Sequence, residues 1–159
     1  QREKQRDVMA NMLNQVIQAV AHHGHVVILG RSGFEVLGGF ADVIHVRLQA
    51  PFPVRVGRVM EQQGLSFEQA ETAVKKSDKT RVAFVEEFYK IPWDSIHAFD
   101  MVLNTGKISP DLATNWLVDI AKVPVSSFEI DKPTTDSIVV DRILAETVSE
   151  VLNCDHAHR

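Results

Sequence analysis

Cysteine is almost missing from this chain. Cys154 is the single cysteine in 159 residues, so no disulfide can close within the chain, and a reducing compartment suits it. There is no run of eighteen or more apolar residues and no signal-peptide pattern, which excludes a predicted membrane helix and points to the cytoplasm. Positive charge is in deficit too. Seventeen Lys and Arg stand against twenty-one Asp and Glu, a formal charge of −4. No face is basic enough to neutralise a row of phosphates, so neither nucleic acid nor a membrane is an expected partner. Internal repeats and low-complexity segments are also absent.

What is present fits an ordinary globular α/β chain, 45% hydrophobic and 24% charged. The most informative stretch is His25-Val26-Val27-Ile28-Leu29-Gly30-Arg31-Ser32-Gly33. Four apolar residues running into a glycine read as a strand buried on both faces, as in parallel sheets. Arg31 then falls outside the carboxyl end of that strand, where open α/β sheets bind ligands, and its guanidinium fork suits a phosphate.

Helices and strands alternate along the chain. An amphipathic helix is predicted over about 6–23, with Val8, Met9, Met12, Leu13, Val16, Ile17 and Val20 on one broad face. Strands follow near 25–30, 43–48 and 100–104, with a loop hinged at Gly38-Gly39 after the first. Helices are predicted over about 54–63, stopped by Gly64, and over 66–89, opened by the Ser66/Gln69 capping box. Another is predicted over 110–122, opened by Ser109-Pro110. Helical crossovers of this length imply a parallel sheet. Residues 1–122 therefore read as one α/β domain. Residues 123–159 read as a linker, to about Pro133, followed by a helix over 136–152 without a legible role.

Cations gather after the strands. Arg55 and Arg58 lie one turn apart, as do Asp78 and Arg81, beside Lys75, Lys76 and Lys79. Arginines converging on a phosphoryl group would stabilise its charge electrostatically, with little covalent chemistry asked of the protein. The lysines are better read as a solvated helix face, and Arg31 and Arg81 as functional. The histidines His22, His23, His25, His156 and His158 lack metal-ligand spacing, and Cys154 lacks a partnered histidine motif. Phe84, Phe88, Tyr89 and Trp93 read as packing rather than base stacking.

The ordered set resembles the cytidylate-kinase-like family of P-loop nucleoside monophosphate kinases. It comprises Gly30-Arg31, Val46-Arg47-Leu48-Gln49-Ala50-Pro51, Arg55-x-x-Arg58, Asp78-x-x-Arg81, Tyr89 with Trp93-Asp94, and Asp100-Met-Val-Leu-Asn104-Thr105. The resemblance covers about residues 5–122. It implies a parallel five-stranded sheet flanked by helices, ATP with Mg2+ as donor, and CMP or dCMP as acceptor. By the same resemblance Arg31 holds the acceptor phosphate, while Asp78 near the acceptor nucleoside and Arg81 on the phosphates form a lid pair. Arg55 and Arg58 belong to the basic helix leading into that lid. Arg81 and Arg58 are thus the expected catalytic residues, and Arg31, Asp78 and Arg55 the expected substrate-binding ones.

The chain departs from that pattern in three places. Val74 stands where the family has a further lid arginine, and Leu29 where an acidic residue commonly precedes Gly-Arg. No Gly-x-x-x-x-Gly-Lys-Ser/Thr loop occurs. Since the chain opens on Gln1 in mid-helix, the expectation is a piece of a longer protein whose phosphate loop and central strand lie upstream. The chain would then carry the acceptor-binding and lid portion of a kinase. A non-catalytic module of the same fold, for ligand binding or dimerisation, is the alternative, and a homo-oligomer is compatible with either.

Overall fold

Local capping sets most helix boundaries. In the computed structural model, which describes residues 2–123 and 131–152, α1 spans Arg2–His23 and α2 is a single turn, Gly33–Val36. After β1 (Val46–Gln49) comes α3, Phe52–Gln63, with Pro51 at its N-cap. Gly64 closes α3 in the left-handed conformation, φ 65°, its N–H bonding the Met60 carbonyl. The long α4, Phe67–Tyr89, opens on the expected reciprocal box. Ser66 Oγ accepts from the Gln69 amide, and the Gln69 side chain accepts from the Ser66 amide. β2 is Met101–Asn104, and α5 is Pro110–Ala121, capped by Ser109 Oγ on the Leu112 amide. A 3₁₀ turn, Thr135–Ser137, precedes α6, Arg142–Val151, where Asp141 accepts from the Ile143 and Leu144 amides. The expected helix over 136–152 is therefore shorter. Residues 124–130, most of the expected linker, lie outside the described residues, as do Cys154, His156 and His158.

The described residues fall into two units. In Ile44–Val123, β1 and β2 form a parallel two-stranded sheet, with Val46 opposite Met101 and Leu48 opposite Leu103. The crossover between them is α3 and α4, which pack through Val56, Ala70 and Val74, ringed by Phe52, Val59, Met60 and Leu65. The fold is thus helix-rich α/β with a small parallel sheet, of two strands among the described residues where the family resemblance implies five.

The other unit holds residues up to Val43 together with 131–152. Ile17, Ala21 and Leu37 form its core, with Leu13, Ile28, Val36, Phe40, Val43 and Ile138 packed around them. α1 also packs against α6. Asp42 clasps the returning segment: its carboxylate accepts from the Thr135 amide at 2.9 and 3.0 Å and from Thr135 Oγ1 at 2.6 Å.

Two expectations are corrected in this unit. The run 25–30 pairs with no strand among the described residues, and only one of its faces is covered. Ile28 packs into the core, whereas Val27 and Leu29 are 88% and 85% exposed. An apolar run marks a fully buried strand only when strands flank it and layers cover both faces, and here α1 covers one. The broad apolar face of α1 is likewise only part-used. Leu13, Ile17 and Ala21 enter the core, while Val8, Met9, Met12 and Val16 stay exposed.

Candidate functional site

On a helix, residues four apart stack in one stripe. Ala70 and Val74 form the stripe by which α4 packs on α3, and Asp78 continues it by one turn beyond the core. On α3, Arg55 adjoins the buried Val56. The packing that closes the core thus delivers a carboxylate and a guanidinium to the same place. Arg55 Nη1 donates to both Asp78 oxygens, at 2.7 and 2.8 Å, and Arg55 Nε donates to the Ala50 carbonyl at 3.1 Å. Arg81 approaches the same Asp78 Oδ1 at 3.6 Å, a looser ion pair on a side chain 60% exposed.

Arg58 faces another anchor. Its Nη1 donates to Thr105 Oγ1 at 3.0 Å and its Nη2 to the Thr105 carbonyl at 2.5 Å. Thr105 is held in turn against the end of β1, its amide donating to the Gln49 carbonyl at 2.8 Å. Both strand ends therefore fix the Arg58 guanidinium. Arg55, Arg58, Gln62, Ser77, Asp78 and Arg81 line a cavity of about 350 Å³. Three guanidiniums and one carboxylate face a space large enough for a phosphorylated ligand.

Of the five site residues expected from sequence, four meet at this cavity. Arg31 belongs to the other unit. There it is exposed and occupies the left-handed region at φ 57°, between Gly30 at 73° and Ser32 at 57°. Ser32 is buried, and its Oγ has no hydrogen-bond partner. Lys75 pairs with Glu71 along α4 at 2.9 Å, as a solvated helix face would. Val74, where the resemblance leads one to look for an arginine, is 5% exposed and packs on Val56 and Ala70. That departure serves the core. His22 Nδ1 lies 3.2 Å from the Thr135 carbonyl. Among the described residues no group of three or more His, Cys, Asp or Glu is placed to hold a metal.

Two supports were not read from the sequence as such. Thr105, named above only within the strand motif, orients Arg58. Arg47 donates to the Trp93 carbonyl at 2.7 Å and lies 4.9 Å from the Trp93 ring and 5.6 Å from that of Phe99. It pins the segment between α4 and β2, helped by Asp100 Oδ2, which accepts from the His45 amide at 2.7 Å. The available signal was an arginine between the two apolar residues of a short strand, Val46 and Leu48.

Known proteins add independent findings. A family model described as the cytidylate kinase-like family matches residues 1–107. The chain is similar to a cytidylate kinase of Halobacterium salinarum, 29% identical over 94 residues, covering 59% of this chain and 48% of that protein. It is similar to another from Ignicoccus hospitalis, 28% identical over 99 residues, covering 62% and 57%. It thus spans about half the length of the cytidylate kinases it matches. A protein of Corynebacterium glutamicum named uronate isomerase is 31% identical over 104 residues, but these make up only 20% of that protein. Among solved structures, an uncharacterized protein from Eubacterium ventriosum shares the fold. The TM-score is 0.61 at 24% identity, covering 70% of this chain and 62% of that one. No helix among the described residues is long and apolar enough to cross a membrane. With its family model matched over most of its length, the chain belongs to the cytidylate kinase-like family.

Proposed function

We propose that this chain carries the acceptor-binding and lid portion of a cytoplasmic nucleoside monophosphate kinase. In that reading ATP is the donor and CMP or dCMP the acceptor. The observation that carries it is the α3–α4 cavity, where Arg55, Arg58 and Arg81 face one space within the family-matched segment. Phosphoryl transfer spreads negative charge over the oxygens of the moving group, and positioned arginines stabilise that charge.

The residues divide the task. Arg58, anchored at both terminal nitrogens by Thr105, is a preorganised donor that need not reorder as charge develops. Arg81, exposed and loosely paired, can swing onto a bound phosphate. Arg55 and Asp78 line the same cavity, and Arg31, in the other unit, keeps the phosphate-binding role that the family resemblance implies. The donor set suits anionic phosphoryl oxygens. Magnesium would arrive with ATP, neutralising its phosphates. In this reading α6 is not a separate tail, since it packs on α1 and Asp42 holds Thr135 just before it.

Calorimetric titration with CMP, dCMP, UMP and AMP tests the reading. Saturable binding of a cytidine monophosphate, weakened at least about tenfold by Arg81→Ala, the loss of about one charge-assisted contact, is the expected outcome. No binding of any of the four overturns it.

A further inference from the structure

We infer that residues 131–138 form a strap that sets the backbone of the Arg31 loop, with Asp42 and Thr135 as its positioning pair. This rests on the reading of Arg31 as a phosphate ligand. It goes beyond that reading by giving the segment before α6 a task in the binding. The family model ends at residue 107, so the pair joins a loop inside the matched stretch to a strap outside it.

Three observations carry it. First, the loop has little support of its own. Gly30, Arg31 and Ser32 follow one another in the left-handed region, at φ 73°, 57° and 57°. Non-glycine residues persist there only where their surroundings over-determine them. The turn that follows, Gly33–Val36, has no side-chain bond at its cap, and one helical turn does not sustain itself. Second, the strap closes the far end of the loop. Asp42 accepts from Thr135 Oγ1 at 2.6 Å and from the Thr135 amide at 2.9 and 3.0 Å. The Ala41 amide donates to the Pro133 carbonyl at 2.9 Å. Thr135 is 8% exposed, so water does not stand in for these charge-assisted bonds unless the strap opens. Third, the strap completes the core beneath the loop. Ile138 packs, as Val36, Phe40 and Val43 do, against Ile17, Ala21 and Leu37. The Thr135 carbonyl also lies 3.2 Å from His22 Nδ1, at the end of α1.

The loop is therefore fixed by α1 on one side and by the strap on the other. Releasing Asp42 frees its end, and Arg31 and Ser32 then relax out of the left-handed region, which disfavours their side chains. Arg31 presents its guanidinium for only part of the time, and the affinity of any ligand it holds falls by that fraction. Asp42 and Thr135 touch no ligand in this scheme. They act through the loop backbone.

The test uses the whole chain with two readouts, CMP affinity by calorimetry and the φ of Arg31 from its amide–Hα scalar coupling. Asp42→Ala removes the clasp, Thr135→Val removes the hydroxyl donor alone, and Thr135→Ser keeps it. Val148→Ala loosens buried packing on α6, which lies against α1, without touching the clasp. Asp42→Ala and Thr135→Val should move the Arg31 coupling off its left-handed value. They should weaken CMP binding about three- to tenfold, as a loop competent for a fraction of the time does. Thr135→Ser should keep both near wild type, and Val148→Ala should lower the melting temperature while moving neither. In an Arg31→Ala background, Thr135→Val should add less than about twofold, because the strap acts through Arg31. An unmoved coupling in folded Asp42→Ala, or a full further loss in the Arg31→Ala background, overturns the proposal. So do the same changes in Val148→Ala, since stability alone would then explain them. If wild type binds no CMP, the phosphate reading falls, and the coupling alone decides whether the strap sets the loop.

Discussion

Arg31 sits in a backbone conformation that its side chain does not favour. Gly30, Arg31 and Ser32 all have positive φ, and each non-glycine residue in the left-handed region costs about 1–2 kcal/mol. A chain that holds an arginine there against strain separates stability from function in a measurable way. Arg31→Gly should hold or raise the melting temperature while weakening CMP binding. Arg31→Ala keeps the strain and should weaken binding equally. Unchanged CMP affinity in both would show that Arg31 takes no part in binding it. Gly106 is constrained from the other direction. A Cβ there would lie 2.6 Å from Pro51 Cδ and 3.1 Å from Asn104 Oδ1. The proline ring cannot give way, and it sets the start of α3, which carries Arg55 and Arg58. Gly106→Ala should cost about 1–3 kcal/mol, as overpacking does. It should also weaken CMP binding through the displaced arginines, with chemical denaturation and calorimetry as the two measurements.

At the scale of elements, α4 is the piece on which the site depends. Its start is fixed by the Ser66/Gln69 box, and Ser66→Ala should cost about 1 kcal/mol. For a chain of this size that is a fall of roughly 2–4 °C in melting temperature. Its middle is fixed by Ala70 and Val74 against α3. Val74→Arg would put into this position the arginine that the family resemblance leads one to look for. Because Val74 is 5% exposed, the change should destabilise by about 2–5 kcal/mol, the range for burying an unpaired charge. A gain in phosphate affinity without loss of stability would show that α3 and α4 part easily. These local features were legible in the sequence: the Ser66 and Ser109 caps, the helix spans of α3, α4 and α5, and the Asp78/Arg81 spacing are written within a few residues. What was not legible needed partners distant in the chain. Arg58 finds Thr105, 47 residues on, and Arg55 finds Asp78, 23 residues on. The run 25–30 has strand composition, yet a strand exists only with a neighbour to bond, and no described residue supplies one. Arg47 was visible as a letter, but its partners Trp93 and Phe99 come from beyond α4.

At the scale of the whole molecule, the charges and the donor chemistry are unequally represented. The guanidiniums of Arg58 and Arg81 can compensate a phosphoryl group in flight, yet transfer from ATP also needs the β- and γ-phosphates held still. A glycine-rich loop does this with backbone amides at a helix N-terminus, preorganised because they belong to the main chain. No Gly-x-x-x-x-Gly-Lys-Ser/Thr occurs in the 159 residues, and Gly30-Arg-Ser-Gly33 is too short and has no lysine. Its own geometry argues the same way. It leads into a single helical turn, Gly33–Val36, and Ser32 at the cap makes no side-chain bond to that turn. Mobile arginine side chains do not replace a fixed nest of amides, because they must be ordered afresh at each turnover. We therefore expect residues 1–159 alone to bind a cytidine monophosphate without converting it to the diphosphate at an appreciable rate in the presence of ATP and Mg2+. A coupled assay with the purified chain, run beside the binding titration, measures both. Rapid ATP-dependent formation of CDP by this chain would mean that the donor phosphates are held by residues outside those described, or by the arginine cavity itself.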